Sequence, residues 1–376
     1  MQIFNVTDYG VVSDINLLQT EKIQAVLNMC KTSGGKVVFP KGEYRISSVY
    51  VHSNTEIYLE SEALIIGSDE ITDYKEFEIP ANIKALHDYI ALKPQIIKYN
   101  IKCEGYTLSM FTSINEKNIS FIGEKGSLID GLHCFNPKGD QDYRGPHTIW
   151  MTACENINVS GITINRSGNF AFQTDNCKNI TLNNVTVTRG DDGIHLNGSQ
   201  NISIKNSTFE TGDDAIAGLN VVNLTVDNCY ISSACDIFRL GGKDILIKNC
   251  KAVGPCKYPH RVSTFKGKNF DLPDYLGRRN ANVFLCYFAS DDFPMDSENI
   301  IIKDCEIDTV DRLVYDSQDF SVFQSGGILK EITFENVTAK NLLHPCFYNP
   351  KTVYNIKNST FAGTNDEVFD IFAKAE

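Results

Sequence analysis

The sequence predicts an all-β protein, a right-handed parallel β-helix with an N-terminal capping helix, and three observations carry that reading. Segments opening Asn156-Ile157-Asn158-Val159, Asn179-Ile180-Thr181-Leu182, Asn201-Ile202-Ser203-Ile204, Asn223-Leu224-Thr225-Val226 and Asp244-Ile245-Leu246-Ile247 are copies of one unit, about 22 residues apart. Each copy alternates apolar and polar residues, as a half-buried strand must. Each then ends in a polar turn, as at Asn183-Asn184-Val185, Lys205-Asn206-Ser207, Asp227-Asn228-Cys229 and Lys248-Asn249-Cys250. About three short strands fit in one such period, the signature of a solenoid. A single coil cannot bury its apolar face; stacked coils do.

The elements follow in order. Glu21 to Lys31 carries apolar residues at Ile23, Val26, Leu27 and Cys30, a helical spacing, and Ser33-Gly34-Gly35 stops it. A helix there covers the open apolar end that a β-helix otherwise exposes. Strands are expected at Val37-Val38-Phe39, Tyr44-Arg45-Ile46, Thr55–Leu59 and Ala63–Ile66. The repeat then fails over about 69–105, read as an insertion with a short helix near Asn82–Leu92. It returns at Asn118, is interrupted by a loop from Leu132 to Pro146, and runs through the central coils to Cys250. A second insertion is expected at about 251–298, with one coil near Ala281–Ala289, before coils resume at Asn299, Glu331 and Asn355. Residues 369–376 read as a frayed or helical end. The whole chain, 1–376, is expected to be one β-helix domain.

Composition narrows the function. With 35 Lys+Arg against 47 Asp+Glu and no basic cluster, nucleic acid is not an expected partner. The apolar run Val283–Ala289 is too short to cross a membrane. Met1–Thr7 has neither a basic nor an apolar leader region, so a cytoplasmic protein is expected, or a secreted one if a leader preceded it. The 12 cysteines include no Cys-x-x-Cys pair, and Cys229, Cys250 and Cys305 share the turn position held elsewhere by Val185, Ser207 and Val337. Buried packing is therefore the expectation, with no metal and no cofactor. The Asn-x-Ser/Thr triplets arise because the column Asn184, Asn206, Asn228, Asn249, Asn336, Asn358 needs a residue that tolerates the left-handed conformation.

In a solenoid, residues one period apart lie roughly 4.8 Å apart. Asp191 and Asp192 therefore share columns with Asp213 and Asp214, and one coil on the same columns hold Cys235 and Asp236. Five aspartates from three coils are expected on one patch. Like charges so placed repel, and such crowding usually serves chemistry or a metal. His195 and Arg239 share another column with Ala217 between them, and both are expected to face outward beside the aspartates. Arg239 suits an anionic or hydroxyl-rich sugar, or else an ion pair to Asp214 or Asp236. Cys235 is expected to pack rather than to act as a nucleophile.

Longer motifs bring a family resemblance. Asp8-Tyr9-Gly10, the stretch Gly34–Tyr44, Gly145-Pro146-His147-Thr148-Ile149-Trp150 and Arg166-Ser167-Gly168-Asn169-Phe170 resemble glycoside hydrolase family 28, the polygalacturonase-like pectin hydrolases. That family's Asn-Thr-Asp-Gly motif falls on Gly190-Asp191-Asp192-Gly193, and its Asp-Asp motif on Asp213-Asp214. Its Gly-His-Gly falls on Ala234-Cys235-Asp236, without the histidine, and its Arg-Ile-Lys on Arg312-Leu313-Val314, without the lysine. The resemblance implies a divergent glycosidase acting on an oligo- or polysaccharide, with Asp213 as general acid and Asp192 and Asp214 orienting the water. His195, Arg239, Arg312 and Asp236 are then substrate-binding candidates. It also implies inversion, whereas one-coil spacing alone, by the carboxylate-distance rule, reads as retention. A β-helix lyase or epimerase and a non-catalytic carbohydrate-binding solenoid are the competing classes. The sequence leaves the sugar, its linkage and the oligomeric state open.

Overall fold

The structure, a computed structural model, describes residues 1–80, 83, 105–261, 279–287, 295–316 and 327–364. They fall into two compact units that divide the chain between Asp191 and Asp192. Each is a stack of right-handed parallel β coils. The expected helix near Asn82–Leu92 and the C-terminal end lie outside the described residues.

In the first unit, helix α1 spans Thr20–Ser33 and buries Ile23, Val26, Leu27 and Cys30, the face that its spacing predicts. Gly34 ends it at φ 70°, and its amide donates to the Cys30 carbonyl at 2.8 Å. A side chain at Gly35 would stand 2.5 Å from the Phe4 ring, so the Gly-Gly pair both stops the helix and admits the first strand. The expected strands form at Gly35–Phe39, Gly42–Ile46, Thr55–Leu59 and Ala63–Gly67. Ile57, Phe121, Val159 and Leu182 stack in register as one buried row.

In the second unit the row Ile202, Leu224, Ile245, Ile300 and Ile332 does the same. Cys229, Cys250 and Cys305 are buried, each directing its thiol at the carbonyl of a neighbouring coil, as a packing column should. The second expected insertion is narrower than 251–298. Lys251–Val253 is a coil strand paired with Tyr230–Ser233 and Glu306–Asp308, and Ala281–Tyr287 pairs with Asp236–Lys248 and Val310–Tyr315. Its first residues still alternate inward and outward, and only after Val253 does the pattern lapse.

The turn column behaves as its composition requires. Asn184, Asn206, Asn228, Asn249, Asn336 and Asn358 all have φ between 48° and 55°. Asn228 donates to the Asn206 side chain at 2.8 Å, so the column also bonds along the stack. Asn228→Ala is expected to cost about 1–2 kcal/mol, because alanine resists the left-handed region and loses the bond. Asn228→Gly should lose less, and urea unfolding of the two variants separates backbone from side chain.

Candidate active site

The site residues sit in the turns that carry the second unit from one strand to the next. Gly193 follows Asp192 and lies so close to the next coil that a Cβ there would meet the Ala215 carbonyl at 2.5 Å. Its amide donates to the Asp214 carbonyl at 2.9 Å, and the Ala215 amide donates to the Asp236 carbonyl at 2.9 Å. These bonds continue the parallel ladder through the turns and hold Asp192, Asp214 and Asp236 above one another. The column His195, Ala217, Arg239 forms as expected and continues to Cys286.

Asp192, Asp213 and Asp214 each bring a carboxylate oxygen within 4.8 Å of the other two. All three are nearly enclosed, at 3 %, 8 % and 3 % exposure. At that separation one water can donate to two carboxylates at once. His195 Nδ1 lies 2.6 Å from Asp192 Oδ2, and Arg239 Nη1 lies 3.5 Å from Asp214 Oδ2. Arg239 thus makes the ion pair weighed from sequence while its side chain stays about a third exposed. Burial pushes the Asp214 carboxyl up to about 8, with Asp192 and Asp213 adding to the shift and Arg239 opposing it. Burial likewise pushes Asp236 up to about 8, Asp214 adding and Arg239 opposing. The long ion pair to Arg239 does not outweigh desolvation, so Asp214 and Asp236 both stay well above the ordinary carboxyl range. For Arg239, burial disfavours the charge, but Asp214, Asp192 and Asp236 overcome it and raise its pKa.

Asp191 belongs to the first unit, is fully buried, and accepts the Tyr143 hydroxyl at 2.7 Å with Arg144 Nε 4.0 Å away. Within its own unit these two side chains face its carboxylate.

Arg312 joins the site by register. Asp236 pairs with Val283, and Val283 with Arg312, so Arg312 stands two strand spacings along the Asp236 column, roughly 10 Å away. A cavity of about 420 Å³ lies there, lined by Asp236, Asn282, Arg312, Tyr315 and His344 among others. Arg312 Nη1 donates to the Pro345 carbonyl, which fixes its head at the cavity wall. Sequence reasoning missed Asn282, Tyr315 and His344, and also His260, whose Nε2 lies 3.6 Å from Asp213 Oδ1. His260 lies between Val253, where the repeat lapses, and Ala281, where it resumes, so no spacing placed it.

Residues 70–237 match the model of glycosyl hydrolases family 28, and residues 3–72 match that of rhamnogalacturonase A/epimerase, pectate lyase-like. The first match includes Asp192, Asp213 and Asp214. An exo-poly-α-D-galacturonosidase of Dickeya chrysanthemi is 25% identical over 131 residues, 35% of this chain. The chain spans only 19% of that protein's length. Among solved structures, the family 28 exopolygalacturonase of Yersinia enterocolitica superposes with TM-score 0.70 at 16% identity, over 96% of this chain and 72% of that one. A hyperthermoactive exopolygalacturonase of Thermotoga maritima gives 0.71 at 14%, over 96% and 87%.

Proposed function

We propose that this chain, a divergent member of glycosyl hydrolase family 28, hydrolyses terminal O-glycosidic bonds of an acidic oligo- or polysaccharide. The observation that carries this reading is the group of three enclosed carboxylates, from Asp192, Asp213 and Asp214, within 4.8 Å of one another. Glycosidic cleavage needs one carboxyl to protonate the leaving oxygen and another to activate water. Asp213 donates the proton, and Asp192 and Asp214 hold the water, which attacks with inversion. His195, bonded to Asp192, fixes that carboxylate's orientation. The raised pKa of Asp214 keeps a proton in the cluster at neutral pH, ready to be redistributed when substrate binds.

Arg239 and Arg312 bind the sugar carboxylates, and the cavity between Asp236 and Arg312 accommodates part of the glycan. Terminal action is favoured by the relative's activity as an exo-enzyme. Incubation with a panel of oligosaccharides, with and without uronic acid, tests the reading. New reducing ends without ultraviolet absorbance, released as a single small product, are expected. An absorbing unsaturated uronide would mean elimination instead, and no turnover of any glycan would leave a binding protein. Proton NMR of the first-formed anomer checks inversion.

The recognition role predicts a separate result. Arg239→Ala and Arg312→Ala should each raise KM for a uronide by about 10- to 100-fold, the worth of a charge-assisted hydrogen bond. A neutral glycan should be little affected. Equal losses on both substrates would show that the arginines serve only to pair the aspartates.

A further inference from the structure

We propose that Asp213, Cys235 and His260 form a binding site for a thiophilic divalent cation of the zinc class, and that occupancy switches the hydrolase off. The three side chains come from different segments: Asp213 precedes the strand Ile216–Asp227, Cys235 precedes Asp236–Lys248, and His260 returns from beyond Lys251–Val253. One carboxylate oxygen, the thiol sulfur and one imidazole nitrogen lie within 4.8 Å of one another. Zinc bonds of about 2.0–2.3 Å, arranged tetrahedrally, place neighbouring ligand atoms roughly 3.5 Å apart. His260 Nε2 and Asp213 Oδ1 already stand at 3.6 Å. The thiol need close by at most about 1.3 Å, within reach of a small χ1 rotation.

The donor set selects the metal. A thiolate with an imidazole and a carboxylate suits zinc or cobalt, while magnesium and calcium take oxygen ligands. The surroundings are also those of a held site. Ser233 Oγ donates to the Asp213 carbonyl at 2.6 Å and accepts the Cys235 amide at 2.9 Å, tying two ligand residues together. Asn282 Nδ2 lies 3.6 Å from Cys235 Sγ, an outer donor that orients the sulfur. Cys235 is partly exposed while Asp213 and His260 are enclosed, which leaves an entry path from one side. Binding releases the thiol proton to solvent, and the cation offsets the repulsion among Asp192, Asp213 and Asp214.

The regulatory consequence rests on the hydrolase reading, because a metal bound to Asp213 occupies the oxygen that would carry the proton. The site itself is tested without substrate. Protein freed of metal by a chelator is titrated with Co²⁺ alone, and a thiolate-to-cobalt charge-transfer band saturating at one equivalent is expected. Zn²⁺ should displace the cobalt. Cys235→Ser should abolish the band and weaken Zn²⁺ binding by more than about 100-fold, since loss of a ligand should exceed the loss of an outer-shell partner. His260→Gln, which keeps the thiol, should weaken Zn²⁺ similarly, and a thermal melt confirms that both variants fold. Absence of the thiolate band, or Zn²⁺ affinity unchanged in both variants, overturns the site. In activity assays Zn²⁺ should inhibit the wild-type protein, reversibly by chelator, and inhibit Cys235→Ser only at far higher concentration. A protein inactive on every glycan yet showing the band would sink the hydrolase reading and leave the metal site standing.

Discussion

Asp213→Asn is expected to lower kcat on the natural glycan by about 100- to 10,000-fold, the range for loss of a general acid. The substitution keeps the shape of the side chain and removes only its proton, so circular dichroism and melting should show an intact fold. Asp192→Asn and Asp214→Asn should cost as much, because water held by one carboxylate is neither oriented nor activated. The three losses should not add: each carboxylate acts only while the others are in place, so a double variant falls little below the worse single one. A substrate with an activated leaving group separates the roles. It needs no protonation, so Asp213→Asn should recover most of its activity there, while Asp192→Asn and Asp214→Asn should recover none. Rescue of Asp214→Asn in place of Asp213→Asn would move the acid one residue along the chain. Near-normal kcat in all three variants would remove the site.

What the sequence revealed of this arrangement followed from its period. A spacing of about 22 residues fixes which residues share a column, and so the row His195, Ala217, Arg239 and the pairing of Asp192 with Asp214 could be read before any coordinates. The same logic could not tell that Asp191 is tied to Tyr143, because Tyr143 lies in an irregular loop with no column. His260 was hidden for the same reason: it reaches Asp213 from a stretch between Val253 and Ala281 that has no place in the repeat. Arg312 was found only through the family motif. Its place on the Asp236 column depends on Ala281–Tyr287, a strand separated from the coil before it by residues that break the count. Cys235 falls in the turn before Asp236 as the period requires, while His260, the second donor beside its thiol, has no place in the repeat.

The aspartates also set how stability depends on pH, and Asp236→Asn exposes the effect. Burial raises Asp236 from an ordinary carboxyl value of 3.8 to about 8. Below 3.8 the group is protonated in both folded and unfolded chains, and it contributes no difference. Between about 4 and 8 the unfolded chain releases the proton while the folded chain keeps it, so the folded state binds more protons and stability falls as pH rises. Above about 8 both states are ionised and the loss levels off, leaving a buried charge beside Asp214. Each pKa unit corresponds to about 1.4 kcal/mol. Asp214 shares the cost, so the part released by removing Asp236 alone is on the order of 3 kcal/mol at pH 8. Asparagine keeps the size and cannot ionise. Asp236→Asn should therefore match the wild-type melting temperature near pH 4, exceed it by several degrees at pH 8, and show a flatter profile between. An equal shift at both pH values would mean that the substitution acts through packing, and a lower melting temperature at pH 8 would mean that Arg239 holds Asp236 ionised after all.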